Sequence, residues 1–165
     1  MAHGPRYHVP FRRRREGKTD YRARLALVKS GKPRAVVRRS LSGTTVQLIT
    51  FHEEGDRILA QANYKDLKKL GWGHSLKDIS ASYLVGLLAS VRAQKADIKE
   101  AVLDMGLHEP TKANRVFATL KGLVDGGLDI PHGDEIFPSE ERITEGNKEA
   151  KDHAKAFEEM KNKVL

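Results

Sequence analysis

Thirteen lysines and arginines stand among the first 39 residues, against two acids, Glu16 and Asp20. That local charge of +11 cannot enter an apolar core, because a buried unpaired charge is too costly. The remaining residues hold the other 17 bases and 20 acids and sum to −3. The formal charge of +8 over 165 residues is therefore polarised, and any core must come from the later sequence. A cationic first quarter on a neutral body is the pattern of an arm that meets a polyanion.

The arm itself, residues 1–17, contains Gly4, Pro5, Pro10 and Gly17 and shows no periodicity, so an extended conformation is expected. Arg12, Arg13, Arg14 and Arg15 form an unbroken run, with Tyr7, Phe11 and Tyr21 close by as stacking platforms. Guanidinium groups fork onto phosphate and stack on bases, so structured RNA is the expected target. Lys18–Ser30 reads as a helix capped by Thr19 or Asp20, with Leu25 and Val28 as a short apolar stripe. Arg22 and Lys29 lie away from that stripe. Ser30-Gly31-Lys32-Pro33 ends it.

Three strands are expected next: Arg34–Ser40, Thr44–Phe51 and Arg57–Asn63, the last with Ile58, Ala60 and Ala62 on one face. Tight turns between them imply an antiparallel meander. Arg38 and Arg39 are adjacent on the first strand and point to opposite faces, so one reaches RNA with Lys32 and Arg34 while the other lies at an edge or turn. A short helix over Lys65–Trp72 follows. Ser75-Leu76-Lys77-Asp78 reads as a capping box for a helix running to about Lys95, in which Gly86 and Ala89 allow close packing on a sheet. Glu100–Met105 reads as a buried strand. Thr111 is the expected cap of the next helix, and Gly126-Gly127 ends it. The fold class is α/β, a mixed sheet made of a three-stranded antiparallel meander plus one crossover strand, in the order βββαβα. The domains expected are an arm (1–17), an α/β body (18–138) and a helical C-terminal extension (139–165), broken at Gly146. The extension carries an apolar stripe of Ala150, Ala154, Phe157, Met160 and Val164 for packing on the body or a protein neighbour.

Several chemistries drop out. There is no Cys, so thiolate metal sites, disulfides and cysteine nucleophiles are excluded. No apolar run approaches the ~20 residues that span a bilayer, so no membrane partner is expected. The start lacks a secretory apolar core, and Pro5 and Pro10 interrupt the amphipathic helix of a transit peptide. The strand order resembles that of ribonuclease H-like nucleases, which hold two metals on clustered carboxylates beginning on the first strand. Here the first strand is RAVVRRS, without an acid, and Asp104 stands alone as a strand cap or loop residue. His132, followed by Asp134 and Glu135, has no second histidine at ligand spacing. Trp72 is either a contact or a packing plug. There is no phosphate loop, dinucleotide fingerprint or serine elbow. No catalytic residue, metal or cofactor is expected.

Residues Gly4–Ser40, TTVQLITF, DISASYLVGLLASVRAQ, AVLDMGL and TKANRVFATLKGLVDGGLDIPHGDEIFP together resemble the large-subunit ribosomal proteins of the family numbered eighteen, in their archaeal form. The likeness covers Gly4 to about Pro138. It implies a non-enzymatic protein of the cytoplasmic ribosome. Such a protein binds 5S rRNA, joins it to the large-subunit rRNA and meets neighbouring large-subunit proteins in the central protuberance. Carried onto this chain, RNA contacts would fall on Arg6, Tyr7, Phe11, Arg12–Arg15, Lys18, Arg22, Arg24, Lys29, Ser30, Lys32, Arg38, Arg39, Ser40 and Gln47. In the last βα turn they would fall on Lys112, Asn114 and Arg115, where helix amides favour phosphate. A free-standing RNA-binding assembly factor would present the same surface and is the alternative.

Overall fold

A computed structural model describes residues 4–146 and 152–165. Four strands form one mixed sheet in the order β3-β2-β1-β4. They are β1 (Arg34–Arg39), β2 (Thr44–Thr50), β3 (Arg57–Asn63) and β4 (Val102–Asp104). β1–β2–β3 is the expected antiparallel meander, and β4 joins β1 in parallel after a helical crossover. The helices in chain order are α1 (Arg12–Arg15), α2 (Tyr21–Lys29), α3 (Tyr64–Lys69), α4 (Ile79–Lys95), α5 (Arg115–Asp125), α6 (Glu140–Glu145) and α7 (His153–Val164).

The core lies between one sheet face and the α4–α5 pair. Ala35 and Val37 of β1, Val46 and Leu48 of β2 and Ala62 of β3 meet Leu84, Leu87, Leu88, Leu120 and Leu123. The alternation expected for β2 holds at Val46 and Leu48. β3 departs from it. Pairing runs Val46↔Ala62 and Leu48↔Ala60, then slips to Ile49↔Ile58, leaving Leu59 as the extra residue of a bulge. The slip turns Ile58 away from the Ala60–Ala62 face and leaves it exposed. β3 is an edge strand, and Arg92 of α4 reaches it, donating through Nη1 to the Gln61 carbonyl at 2.6 Å and to Asp66 Oδ2 at 2.7 Å.

α4 is buried almost all round, not along one stripe, because the sheet, α5 and the C-terminal helices each cover part of it. Its buried serines are partnered: Ser80 Oγ donates to the Ile143 carbonyl and Ser90 Oγ to the Leu87 carbonyl, while the Ser82 and Thr44 hydroxyls bond each other at 2.8 Å. Gly86 packs on a helix rather than on the sheet. A Cβ there would stand 2.2 Å from the Thr119 carbonyl oxygen, and one on Gly122 would stand 2.2 Å from the Tyr83 carbonyl oxygen. Two facing glycines thus let the α4 and α5 backbones touch.

The caps differ from the expected ones. The reciprocal capping box is Asn63–Asp66, opening α3. Ser75–Asp78 makes no such box, and Asp78 precedes α4 without a side-chain cap bond. Asn114, not Thr111, caps α5. Trp72 is a packing plug: it is buried, donates to the Ser75 carbonyl and sits edge-on to His153. α6 and α7 pack on α4 and are separated by Gly146 and the undescribed stretch. His153, Phe157, Met160 and Val164 face inward, whereas Ala154 is exposed and Ala150 lies outside the described residues.

Candidate nucleic-acid interface

Arg12–Arg15 form one helical turn, not an extended chain. At about 3.6 residues per turn, four consecutive side chains fan roughly 100° apart, so the four arginines cannot address one groove together. Arg13 turns to the body, where its Nε donates to Thr19 Oγ1 at 2.9 Å. Arg12 stands 3.8 Å from Glu16, which also takes Lys18 at 2.8 Å. Arg14 and Arg15 have no side-chain partner among the described residues. Phe11 is exposed and tilts against Tyr21 with ring centroids 5.2 Å apart, and Tyr7 is exposed.

α2 starts at Tyr21 because the Asp20 carboxylate accepts from the Arg22 and Ala23 amides. It ends at Ser30, whose Oγ donates to the Leu27 carbonyl. Gly31 follows with φ +70°, a conformation side chains resist. Leu25 is exposed; Tyr21, Arg24, Leu27 and Val28 are the half-buried members. The apolar stripe alone therefore does not hold α2. Arg24 Nη2 reaches both oxygens of Asp56, at 2.9 and 2.8 Å. Asp56 also accepts from Arg34 Nη2 at 2.7 Å. Arg34 Nη1 donates to Asp104 Oδ2 at 2.7 Å, and Asp104 Oδ1 accepts from Arg38 Nη2 at 3.2 Å. Five charges of alternating sign thus run from α2 across the β2–β3 turn and β1 to the end of β4.

This ladder corrects two expectations. Arg34 does not reach outward; it is 3% exposed, and its Nε has no partner. Asp104 is not a lone strand cap. It is buried beneath two guanidiniums and also accepts from the Gly106 amide at 2.8 Å. Two cations on one carboxylate leave it unsuited to hold a metal. Among the described residues no group of three or more His, Asp or Glu converges for one.

The remaining expected contacts divide by what already holds them. Arg38 Nη1 donates to the carbonyls of Val37 and Asp104, each at 2.9 Å, leaving part of the guanidinium outward. Ser40 Oγ shapes the β1–β2 turn, donating to the Gly43 carbonyl and accepting from the Ser42 and Gly43 amides. Gln47 lies mid-sheet and donates to Gln61 at 3.3 Å. Lys32 pairs with Glu100 at 2.5 Å; that bond and charge raise the pKa of its exposed ammonium. Lys112 pairs with Glu135, both side chains exposed. Asn114 is spent on structure: Oδ1 accepts from the Val116 and Phe117 amides, and Nδ2 donates to the Glu109 carbonyl and Thr111 Oγ1. Arg115 Nη1 bonds the Lys77 carbonyl at 3.2 Å and the Ser40 carbonyl at 3.5 Å, which brings Arg39, Ser40 and Arg115 to one end of the sheet. His108 joins them, accepting from the Arg39 amide at 3.4 Å. Burial first, then the charges of Arg39, Arg38 and Arg115, hold its pKa below the usual histidine value. Arg6, Arg14, Arg15, Arg22, Lys29 and Arg39 make no salt bridge among the described residues. The acids that aim the segment, Asp56 and Asp104, carried no local sequence signal as partners.

An arginine-rich surface anchored by a charge ladder to an α/β body, with no converging carboxylate cluster among the described residues, defines a polycationic protein. The chain matches the family model of ribosomal large subunit proteins 60S L5 and 50S L18 over residues 5–99 and 90–133, and it belongs to that family. The Large ribosomal subunit protein uL18 of Methanococcus maripaludis is 53% identical over 143 residues, covering 87% of this chain and 74% of the relative. Its counterpart in Korarchaeum cryptofilum is 54% identical over 87% of this chain and 73% of the relative. That of Aeropyrum pernix is 53% identical over 87% and 67%. The chain is thus of the archaeal type, a structural constituent of the large ribosomal subunit and not an enzyme. No described helix is long and apolar enough to cross a membrane.

Proposed function

We propose that this chain binds 5S rRNA and joins it to the large-subunit rRNA in the central protuberance of the cytoplasmic ribosome. The observation that carries the reading is the set of cations without a salt bridge among the described residues, Arg6, Arg14, Arg15, Arg22, Lys29 and Arg39, on a segment pinned by the Arg24–Asp56–Arg34–Asp104 ladder. Pinning limits the directions in which those cations project, so less order has to be created on binding. Arg6, Tyr7, Phe11, Arg12–Arg15, Lys18, Tyr21, Arg22, Lys29 and Lys32 act as the arm-side RNA contacts. Arg39 and Arg115, with the outward part of Arg38, act at the far end of the sheet. Residues 1–17, 18–138 and 139–165 serve as arm, body and extension, the body in a ribonuclease H-like arrangement consistent with its parallel β1–β4 pair. The outer side of α6 and α7 is left for neighbouring large-subunit proteins.

The test is titration of 5S rRNA with the full chain across salt. If about six phosphates are neutralised, log K falls against log salt with a slope of about −4 to −5. Replacing Arg12–Arg15 by Ala abolishes tight binding while the body stays folded. A flat salt response, or binding retained within a few-fold, overturns the assignment. The rival reading, a free-standing assembly factor, is separated by sedimentation: a constituent stays with the large subunit in high salt, a factor leaves it.

A further inference from the structure

A crevice of about 430 Å³ lies between α2 and the β1–β4 side of the sheet. From α2 and the residues before it come Lys18, Thr19, Asp20, Ala23, Arg24, Ala26 and Leu27. From the sheet side come Leu103, Met105 and Gly106 together with Arg34, Arg38 and Asp104 of the charge ladder, and Arg13 of α1 completes the lining. Its size falls at the lower end of the ~300–1,000 Å³ typical of small-molecule pockets, too roomy for a phosphate alone.

Its chemistry is divided. Arg13, Lys18 and Arg38 supply cations, and the two carboxylates in the lining are already engaged, Asp20 by the Arg22 and Ala23 amides and Asp104 by Arg34 and Arg38. Ala23, Ala26 and Leu27 supply a wall of small and apolar side chains. β4 supplies a third element. The Val102 amide donates to the Pro33 carbonyl at 2.9 Å, so Val102 faces β1. Strand alternation then turns the amide and carbonyl of Leu103 toward the open edge. One donor and one acceptor side by side match what the edge of a nucleobase presents.

We propose that this crevice seats a single unstacked nucleotide of the bound RNA. Its base lies between the α2 wall and the β4 edge, read by the Leu103 amide and carbonyl, and its phosphate lies at Arg13 and Lys18. The proposal rests on the RNA-binding reading above and deepens it. A helical RNA segment cannot enter a slot this narrow; an extruded base can. The cation set alone would serve any polyanion, and the apolar wall with an unpaired backbone edge singles out a base.

The test uses the full chain and intact 5S rRNA. In the complex, the Leu103 amide and the Ala23 and Ala26 methyl resonances shift strongly, while inorganic phosphate alone moves only signals near Arg13 and Lys18. The A26W substitution fills the slot and lowers affinity at least tenfold with an unchanged salt slope, its fold checked by circular dichroism. The exposed L25W variant on the same helix, outside the crevice, controls for added bulk and stays within threefold of wild type. Wild-type binding with no shift at Leu103, or A26W binding within threefold of wild type, overturns the seat and leaves the general RNA reading standing. Failure of the wild-type chain to bind 5S rRNA at all overturns both.

Discussion

Arg34 Nη1 and Asp104 Oδ2 meet at 2.7 Å where the first and last strands of the sheet run parallel, and both side chains are buried. The pair closes the junction between the meander and the crossover strand.

Removing one partner strands the other. The Asp104→Asn change leaves Arg34 with Asp56 alone and removes the carboxylate under Arg38. Unfolding stability in urea should fall by about 3–5 kcal/mol, the usual result of breaking a buried pair. A loss under 1 kcal/mol would show that water or Asp56 replaces the lost carboxylate.

The α4–α5 contact predicts a steric result. In Gly86→Ala the new methyl meets backbone, which cannot swing aside as a side chain can. The helices must part, at a cost of about 1–3 kcal/mol or somewhat more. Ala89→Gly, a change in the same helix that adds no atom, should show no such clash, only the smaller helix penalty of about 1 kcal/mol with its lost packing. Thermal melts of the two variants make the comparison.

Asn114 separates a structural from an RNA role. Asn114→Ala should lose about 1 kcal/mol with the helix cap, and Asn114→Ser should recover most of it. RNA affinity of the serine variant should match wild type within twofold in a filter-binding assay. A larger loss would restore the side chain to the list of RNA contacts.

His108 reports on the far end of the sheet. Its pKa in the folded chain lies below the unfolded value of 6.5, so the folded state binds fewer protons as pH falls from there. Its contribution is whole above pH 6.5 and is lost as pH drops through the lowered value. His108→Gln should flatten this part of the stability profile. Phosphate brought to Arg39 and Arg115 would offset their charge, so RNA binding should raise the His108 pKa in an NMR titration.

How much was legible depended on the distance over which each feature is decided. The stop at Ser30-Gly31, the alternation of Val46 and Leu48 and the span of α4 are local, and each was readable. Ile58 was misplaced because a single-residue bulge at Leu59 reverses its face, and periodicity cannot see a slip set by the partner strand. Arg34 looked like one more exposed base in a basic run. Its two partners lie 22 and 70 residues away, beyond any local pattern. Gly86 was readable as a close approach, but its partner was not. S-x-x-D at Ser75 read as a capping box, whereas the box that forms is N-x-x-D at Asn63, and only the folded geometry decides it. Charge and family likeness placed the candidate RNA surface; which cations stay free within it came only from the fold.

Arg92, lying along the outer strand, has a meaning for the chain before it finds its RNA. An unpaired strand edge invites a second copy to dock and extend the sheet, the usual first step toward insoluble assemblies. Here an incoming strand meets an acceptor on Gln61 already filled by a guanidinium, and two residues away a bulge that breaks the repeat. The newly made protein carries its own safeguard against self-association during the interval when its intended partner is absent.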